Sequence, residues 1–132
     1  MLGLDRAGAE LTVDLAAIRY NYKKLQCRLG QGTELGAVVK ADAYGLGANK
    51  IASALARAGC KTYFVATLDE GIALRAAVGS ATIYVLNGLV GDEVKEFFVH
   101  TLRPVLNSVD QIARWCENGK LQKINNVASA LH

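Results

Sequence analysis

A chain of 132 residues is long enough for one domain with a core of its own, and with 52% hydrophobic and 20% charged residues it is not a disordered segment. Its net charge of +3 comes from scattered basic residues with no run longer than Lys23-Lys24, which excludes the basic stripe of a nucleic-acid-binding protein. Cys27, Cys60 and Cys116 are widely spaced and form no CxxC or Cys/His cluster, so neither a metal site nor a disulfide framework is expected, and reduced thiols suit a cytoplasmic protein.

In chain order, Met1 to Arg6 show no basic region leading into a long apolar stretch, so no signal peptide or membrane-spanning segment is expected. Leu11-Thr12-Val13 has the composition of a brief strand. Asp14 is a helix N-cap by residue type, and Leu15, Ile18, Tyr22, Leu25 and Leu29 follow at helical spacing until Gly30 and Gly32 end the helix. Leu35 to Lys40 (LGAVVK) is a compact apolar run suited to a strand buried on both faces. Ala48 to Ala58 is an Ala-rich amphipathic helix with Gly59 at its C-terminal stop. Tyr63 to Ala66 is a second strand. Thr67 then caps a helix that runs to about Val78, with Asp69 and Glu70 in a first turn where the helix dipole favours anions. Thr82 to Leu86 is a third strand, Asn87-Gly88 a turn, and Asp92 to Val99 a short helix. Leu102 to Leu106 is a fourth strand, weakened by Pro104. Ser108 caps a helix that reaches about Glu117 before Asn118-Gly119 breaks it, and Val127 to His132 is a fifth strand.

Strands alternating with helices at this spacing imply a parallel α/β sheet with right-handed crossovers. The same count of elements fits an incomplete (β/α)8 barrel or a small doubly wound sheet. In either, ligands gather at the carboxyl ends of the strands. Among those ends only Lys40-Ala41-Asp42-Ala43-Tyr44 carries obvious chemical groups. A partly desolvated amine at a strand end is able to act as a nucleophile and form a Schiff base. Gly45 and Gly47 permit backbone conformations closed to other residues. The plainer alternative is a lysine that reaches from the strand end into solvent. Other conspicuous side chains have structural explanations: His100 on the surface near a helix end, Trp115 in helix packing, Cys60 as a buried thiol, and Asp69 and Glu70 as first-turn acids and not a catalytic pair.

The stretch Ala37-Val38-Val39-Lys40-Ala41-Asp42-Ala43-Tyr44-Gly45-Leu46-Gly47 closely resembles the pyridoxal-phosphate attachment segment of bacterial alanine racemases, and Val13-Asp14-Leu15-Ala16-Ala17-Ile18-Arg19-Tyr20-Asn21 resembles that family's opening segment. The resemblance covers essentially the whole chain, more loosely after Gly88. It departs from many relatives at Asp42, where they have Asn, and at Leu46, where they have His.

The resemblance implies a fold of type III: an N-terminal (β/α)8 TIM barrel, here about its first half over residues 1–132, followed elsewhere by a C-terminal β domain. It implies a homodimer, the cofactor pyridoxal 5'-phosphate, and interconversion of L-alanine and D-alanine, the supply of D-alanine for peptidoglycan precursors. Lys40 would hold the cofactor as a Schiff base and serve as one of two catalytic bases. Tyr44 would contact the cofactor, and Leu86 matches an apolar position near it. The opposite base is implied to lie outside this chain, whose last residues fall within a predicted strand, so the remainder of the polypeptide is the expected partner and the isolated segment is expected to be inactive. No nucleic-acid, membrane or metal partner is implied. The alternatives are a truncated, non-catalytic fragment with a binding role, or a related pyridoxal-phosphate enzyme of the same fold type.

Overall fold

The computed structural model describes residues 8–121 and 128–132. Five strands, β1 (Ala37–Val38), β2 (Thr62–Val65), β3 (Thr82–Val85), β4 (Arg103–Leu106) and β5 (Ala130–Leu131), alternate with six helical elements, α1 (Leu15–Gln26), α2 (Lys40–Gly45), α3 (Ala48–Arg57), α4 (Leu68–Val78), α5 (Val94–Val99) and α6 (Val109–Leu121). The strands pair in parallel in the order β1-β2-β3-β4-β5. A doubly wound sheet reverses its strand order at a switch point. Here each strand is laid beside its predecessor and always on the same side, which is the winding of a (β/α)8 barrel.

Burial alternates along the strands. Tyr63, Val65, Ile83 and Val85 are buried beneath the helices, whereas Thr62, Phe64, Thr82 and Tyr84 on the other face are half-buried. Strand register lines up Val38, Phe64, Tyr84 and Arg103 across that second face. The Phe64 and Tyr84 rings stack at 5.3 Å, and Arg103 donates to the Tyr84 hydroxyl at 3.2 Å. The expectation that Leu35 to Lys40 forms a strand buried on both faces is corrected here. Only Ala37–Val38 is strand, and Val38 is 47% exposed, because no layer covers that face.

The helices follow the expected pattern with corrected ends. Asp14 caps α1 through Oδ1, which accepts from Ala16 N–H and Ala17 N–H at 2.8 and 3.0 Å. The helix stops at Gln26, short of Gly30, since past the buried Tyr22 it has nothing to pack on and Leu25 is exposed. Residues 11–13 form no strand: they lie beside no other strand, and Leu11 is exposed. At the end of α3, Cys60 N–H donates to Leu55 O and Gly59 N–H to Ala56 O, both at 3.0 Å, with Gly59 left-handed at φ 98°. This is a Schellman stop that a side chain at position 59 would strain. Helix α6 runs through Asn118-Gly119 to Leu121, because Asn118 Nδ2 turns back to Arg114 O at 3.0 Å and Gly119 is buried in the helix packing. Pro104 sits inside β4, fully buried, and the ladder to β5 begins only after it at Val105, so its missing N–H costs no bond there. The predicted fifth strand starts at Val127, which lies outside the described residues, as do Met1 to Arg6; Ala130–Leu131 pair as expected.

Beneath the sheet, Tyr63, Phe97, Leu74 and Ile83 are fully buried, and Tyr63 donates its hydroxyl to Ala52 O at 3.1 Å. Trp115 is buried, stacked on Phe98 at 4.5 Å and edge-on to Phe97, so it is core as expected. Cys60 is a buried thiol donating to Thr62 O. His100 lies at the end of α5, paired with Glu96 at 3.4 Å. No described helix is long and apolar enough to cross a membrane.

Capping and burial each lead to a stability prediction. Helix α3 starts after Gly47 with no cap from that residue, and its Ala48 N–H is taken by Asp42 Oδ1 at 2.7 Å. Asp42→Ala is expected to cost about 1 kcal/mol in denaturant unfolding, and Asp42→Asn, which keeps an acceptor, only a few tenths. Burial pushes the Tyr22 hydroxyl up to about 12 and raises that of Tyr63 as well. The folded chain therefore holds these protons more tightly than the unfolded chain, whose tyrosines titrate near about 10. Stability is present in full below pH about 10 and lost as pH rises towards about 12. A stability curve that is flat across that window contradicts the prediction.

Candidate active site at the carboxyl end of the sheet

The chain leaves β1 at Val39, whose N–H donates to Phe64 O at 2.9 Å, the last rung of the β1–β2 ladder. Lys40 follows, half-buried. The next four residues do what their side chains oppose. Ala41, Asp42, Ala43 and Tyr44 all lie in the left-handed region, with φ between 52° and 57° and ψ between 37° and 50°. A non-glycine residue there costs roughly 1–2 kcal/mol, so the turn holds strain on the order of 4–8 kcal/mol. The sequence places Lys40 at a strand end; the structure puts a left-handed helical turn directly behind it.

The turn persists because its backbone groups are satisfied. Ala43 N–H donates to Val39 O at 2.9 Å and Gly47 N–H to Asp42 O at 2.9 Å. Asp42 Oδ1 joins the turn to the first N–H of α3, which it caps. Gly45 at φ 83° and Gly47 at φ 94° continue the positive-φ path, and a Cβ at either would meet nothing within 4 Å. Backbone conformation, not crowding, is what requires glycine at these two positions.

The structure brings Lys40 and Tyr44 together on this one turn, where Tyr44 is 64% exposed. Leu86, the third residue singled out from the sequence, is not on it. Leu86 follows β3 with β2 between, half-buried, its N–H donating to Val65 O at 2.9 Å and its carbonyl accepting from Asn107 Nδ2 at 3.1 Å. Two clefts open at this end of the sheet. One of about 630 Å³ is bordered by Val39, Asp42, Gly47, Val65 and Glu70. The other, about 400 Å³, is bordered by Thr67, Asp69, Val85, Asn87 and Glu93.

Side chains that sequence reasoning treated as helix-capping or passed over also work here. Thr67-Leu68-Asp69-Glu70 and Ser108-Val109-Asp110-Gln111 are both capping-box patterns. In each, the hydroxyl accepts from the N–H three residues on, at 3.3 Å for Thr67 and 3.2 Å for Ser108. The return bond goes elsewhere. Glu70 Oε2 takes Ala66 N–H at 2.7 Å and Gln111 Oε1 takes Asn107 N–H at 2.9 Å, one residue ahead of each cap. The free ends of both side chains then cross to another segment: Glu70 Oε1 accepts from Ala41 N–H at 2.9 Å, and Gln111 Nε2 donates to Leu89 O at 3.0 Å. The Thr-x-x-Glu and Ser-x-x-Gln spacings were visible in the sequence; the crossing partners were not.

Comparison with known proteins places this arrangement in a family. The family model described as "Alanine racemase, N-terminal domain" matches residues 13–128. The chain is 54% identical over 110 residues to a catabolic alanine racemase of Mesorhizobium japonicum, a match that covers 83% of this chain but 29% of that protein. It is 47% identical over 110 residues to the alanine racemase of Brucella ovis, again covering 83% of this chain and 28% of that one. Among solved structures, the alanine racemase of Bartonella henselae, with covalently bound pyridoxal phosphate, superposes with a TM-score of 0.80 at 39% identity over 84% of this chain and 31% of its own. The alanine racemase of Streptomyces coelicolor A3(2) gives a TM-score of 0.79 at 31% identity over 90% of this chain and 32% of its own. The five-stranded parallel sheet is therefore the first half of an alanine racemase TIM barrel, and the chain belongs to the alanine racemase N-terminal domain family.

Proposed function

We propose that the protein carrying this segment is an isomerase that interconverts L-alanine and D-alanine with pyridoxal 5'-phosphate, and that Lys40 carries the cofactor covalently. Residues 1–132 are the N-terminal portion of its cofactor-binding barrel domain, the remainder of the polypeptide closes the sheet, and the working form is a cytoplasmic homodimer. The observation that carries the proposal is the half-buried Lys40 at the end of β1, followed at once by a strained left-handed turn, in a chain of this family. Backbone strain of this kind clusters at functional sites.

The residues present fit the cofactor. One amine, one exposed phenol on the same turn and an apolar side chain two strands along match an aldehyde, a phosphate and a flat ring in turn. Once bound, the cofactor withdraws electrons from the amino acid joined to it and acidifies the Cα proton. Lys40 first supplies the amine that holds the cofactor. Freed from that role, the Lys40 amine would be a base beside the substrate and would take or return the Cα proton on the D-alanine side. The Tyr44 hydroxyl would donate to the phosphate and fix the cofactor's orientation. Leu86 would keep water from the cofactor's apolar edge. Inversion at Cα needs a second base on the opposite face, which the part of the protein beyond residue 132 contributes.

Borohydride reduction of the complete protein followed by peptide mapping tests the attachment point directly. The label is expected on Lys40, and Lys40→Ala is expected to lose both the label and racemisation, the latter by at least roughly 10²–10⁴-fold, the range for a lost acid–base group. A label on another residue, or racemisation surviving in Lys40→Ala, overturns the assignment.

A further inference from the structure

We propose that Glu70 is the positioning residue for Lys40, a role that rests on the attachment of the cofactor at that lysine. Its carboxylate bridges two backbone N–H groups at neighbouring strand ends: Ala41, directly after Lys40, at 2.9 Å, and Ala66, directly after β2, at 2.7 Å. In a parallel ladder the two rungs after Val39 N–H to Phe64 O would run from Ala66 N–H to Val39 O, which here accepts from Ala43 N–H, and from Ala41 N–H to Ala66 O. That carbonyl instead accepts from Asn87 N–H at 3.0 Å, and the Ala41 N–H turns to Glu70. Glu70 therefore supplies the missing acceptor at the one peptide where the chain leaves the sheet and enters the left-handed region.

Three features separate this from ordinary helix capping. A capping-box glutamate bonds back to the N–H of its own cap residue, whereas Glu70 bypasses Thr67 for Ala66 and for a residue 29 positions away. Both carboxylate oxygens are used, and an ionised acceptor gives the shorter and stronger kind of amide hydrogen bond. Moreover, the peptide it holds carries the Lys40 carbonyl carbon, so freeing the Ala41 N–H frees the pivot from which the lysine side chain is aimed.

The test uses the complete protein with cofactor and compares Glu70→Gln and Glu70→Asp with the unsubstituted enzyme. Gln keeps one acceptor oxygen and presents an NH2 to the second N–H; Asp keeps the charge with shorter reach. Borohydride is expected to fix the cofactor at Lys40 in all three. In Glu70→Gln kcat is expected to fall roughly 10- to 100-fold, the scale of a small misplacement of a reacting group, with KM little changed; Glu70→Asp is expected to recover part of the loss. The pH dependence of kcat and the absorbance of the lysine-bound cofactor are expected to shift in Glu70→Gln, which a purely structural role would not cause. Unchanged kcat and absorbance in the folded Gln variant overturn the proposal, as does a loss confined to melting temperature. Hydrogen exchange in the unsubstituted holoenzyme needs no variant: protection at both the Ala41 and Ala66 amides supports the bridge, and free exchange at Ala41 overturns it. A label away from Lys40 in the unsubstituted enzyme removes the lysine assignment itself, an outcome distinct from a label on Lys40 with an inert Glu70.

Discussion

Four successive left-handed residues, Ala41 to Tyr44, form a turn that L-amino acids disfavour at each step. Strain on the order of 4–8 kcal/mol is comparable to the whole stability of a small domain, so the turn survives only where surrounding bonds outweigh it. Those bonds come from both sides. Val39 and Asp42 accept through their backbone carbonyls, Asp42 reaches forward to α3 through its side chain, and Glu70 reaches in from α4. The arrangement at the carboxyl end of β1 depends on this over-determination, because several hydrogen bonds from separate segments together hold the peptide after Lys40 in a backbone region that it would otherwise avoid.

The rest of the sheet supplies a rigid frame for that turn. Apolar side chains on the helix-covered face, Tyr63, Val65, Ile83 and Val85, are fully buried, and the aromatic pair Phe97 and Trp115 closes the layer beneath β4. At the opposite end of α4, Arg75 donates to the carbonyls of Gly79, Ala81, His100 and Thr101 at 2.6 to 3.0 Å, tying the helix end to the loops that lead into β3 and β4. Burial lowers the pKa of this guanidinium, and four carbonyl acceptors compensate for the lost water. Helix α4 is thus held at both ends, by Arg75 at its C-terminal turn and by Glu70 at its N-terminal turn. A helix held this way is a fixed post from which Glu70 can set a neighbouring strand.

The face that carries Val38, Phe64, Tyr84 and Arg103 has a different character. Its half-buried aromatic stack and the Arg103 guanidinium lie on the side where a closed barrel packs its interior side chains. Closure of the sheet by further strands turns this exposed layer into core, which is consistent with a chain that spans less than a third of its relatives' length.

Much of this was legible in the linear order of residues. Periodicity located the helices and strands, Asp14, Thr67 and Ser108 marked helix starts because capping is a local, short-range interaction, and the segment from Ala37 to Gly47 singled out Lys40 and Tyr44 through its resemblance to a known family. Tertiary structure alone decided three things. The strand order chose a barrel over a doubly wound sheet, because both share the same alternation and differ only in which side the next strand is laid. The left-handed turn has no local signature in Ala-Asp-Ala-Tyr, since those residues prefer other backbone regions and are held there by bonds from elsewhere. Glu70 read as a first-turn acid because its spacing from Thr67 is local, whereas its bond to Ala41 spans 29 residues and exists only once β1 and β2 lie side by side.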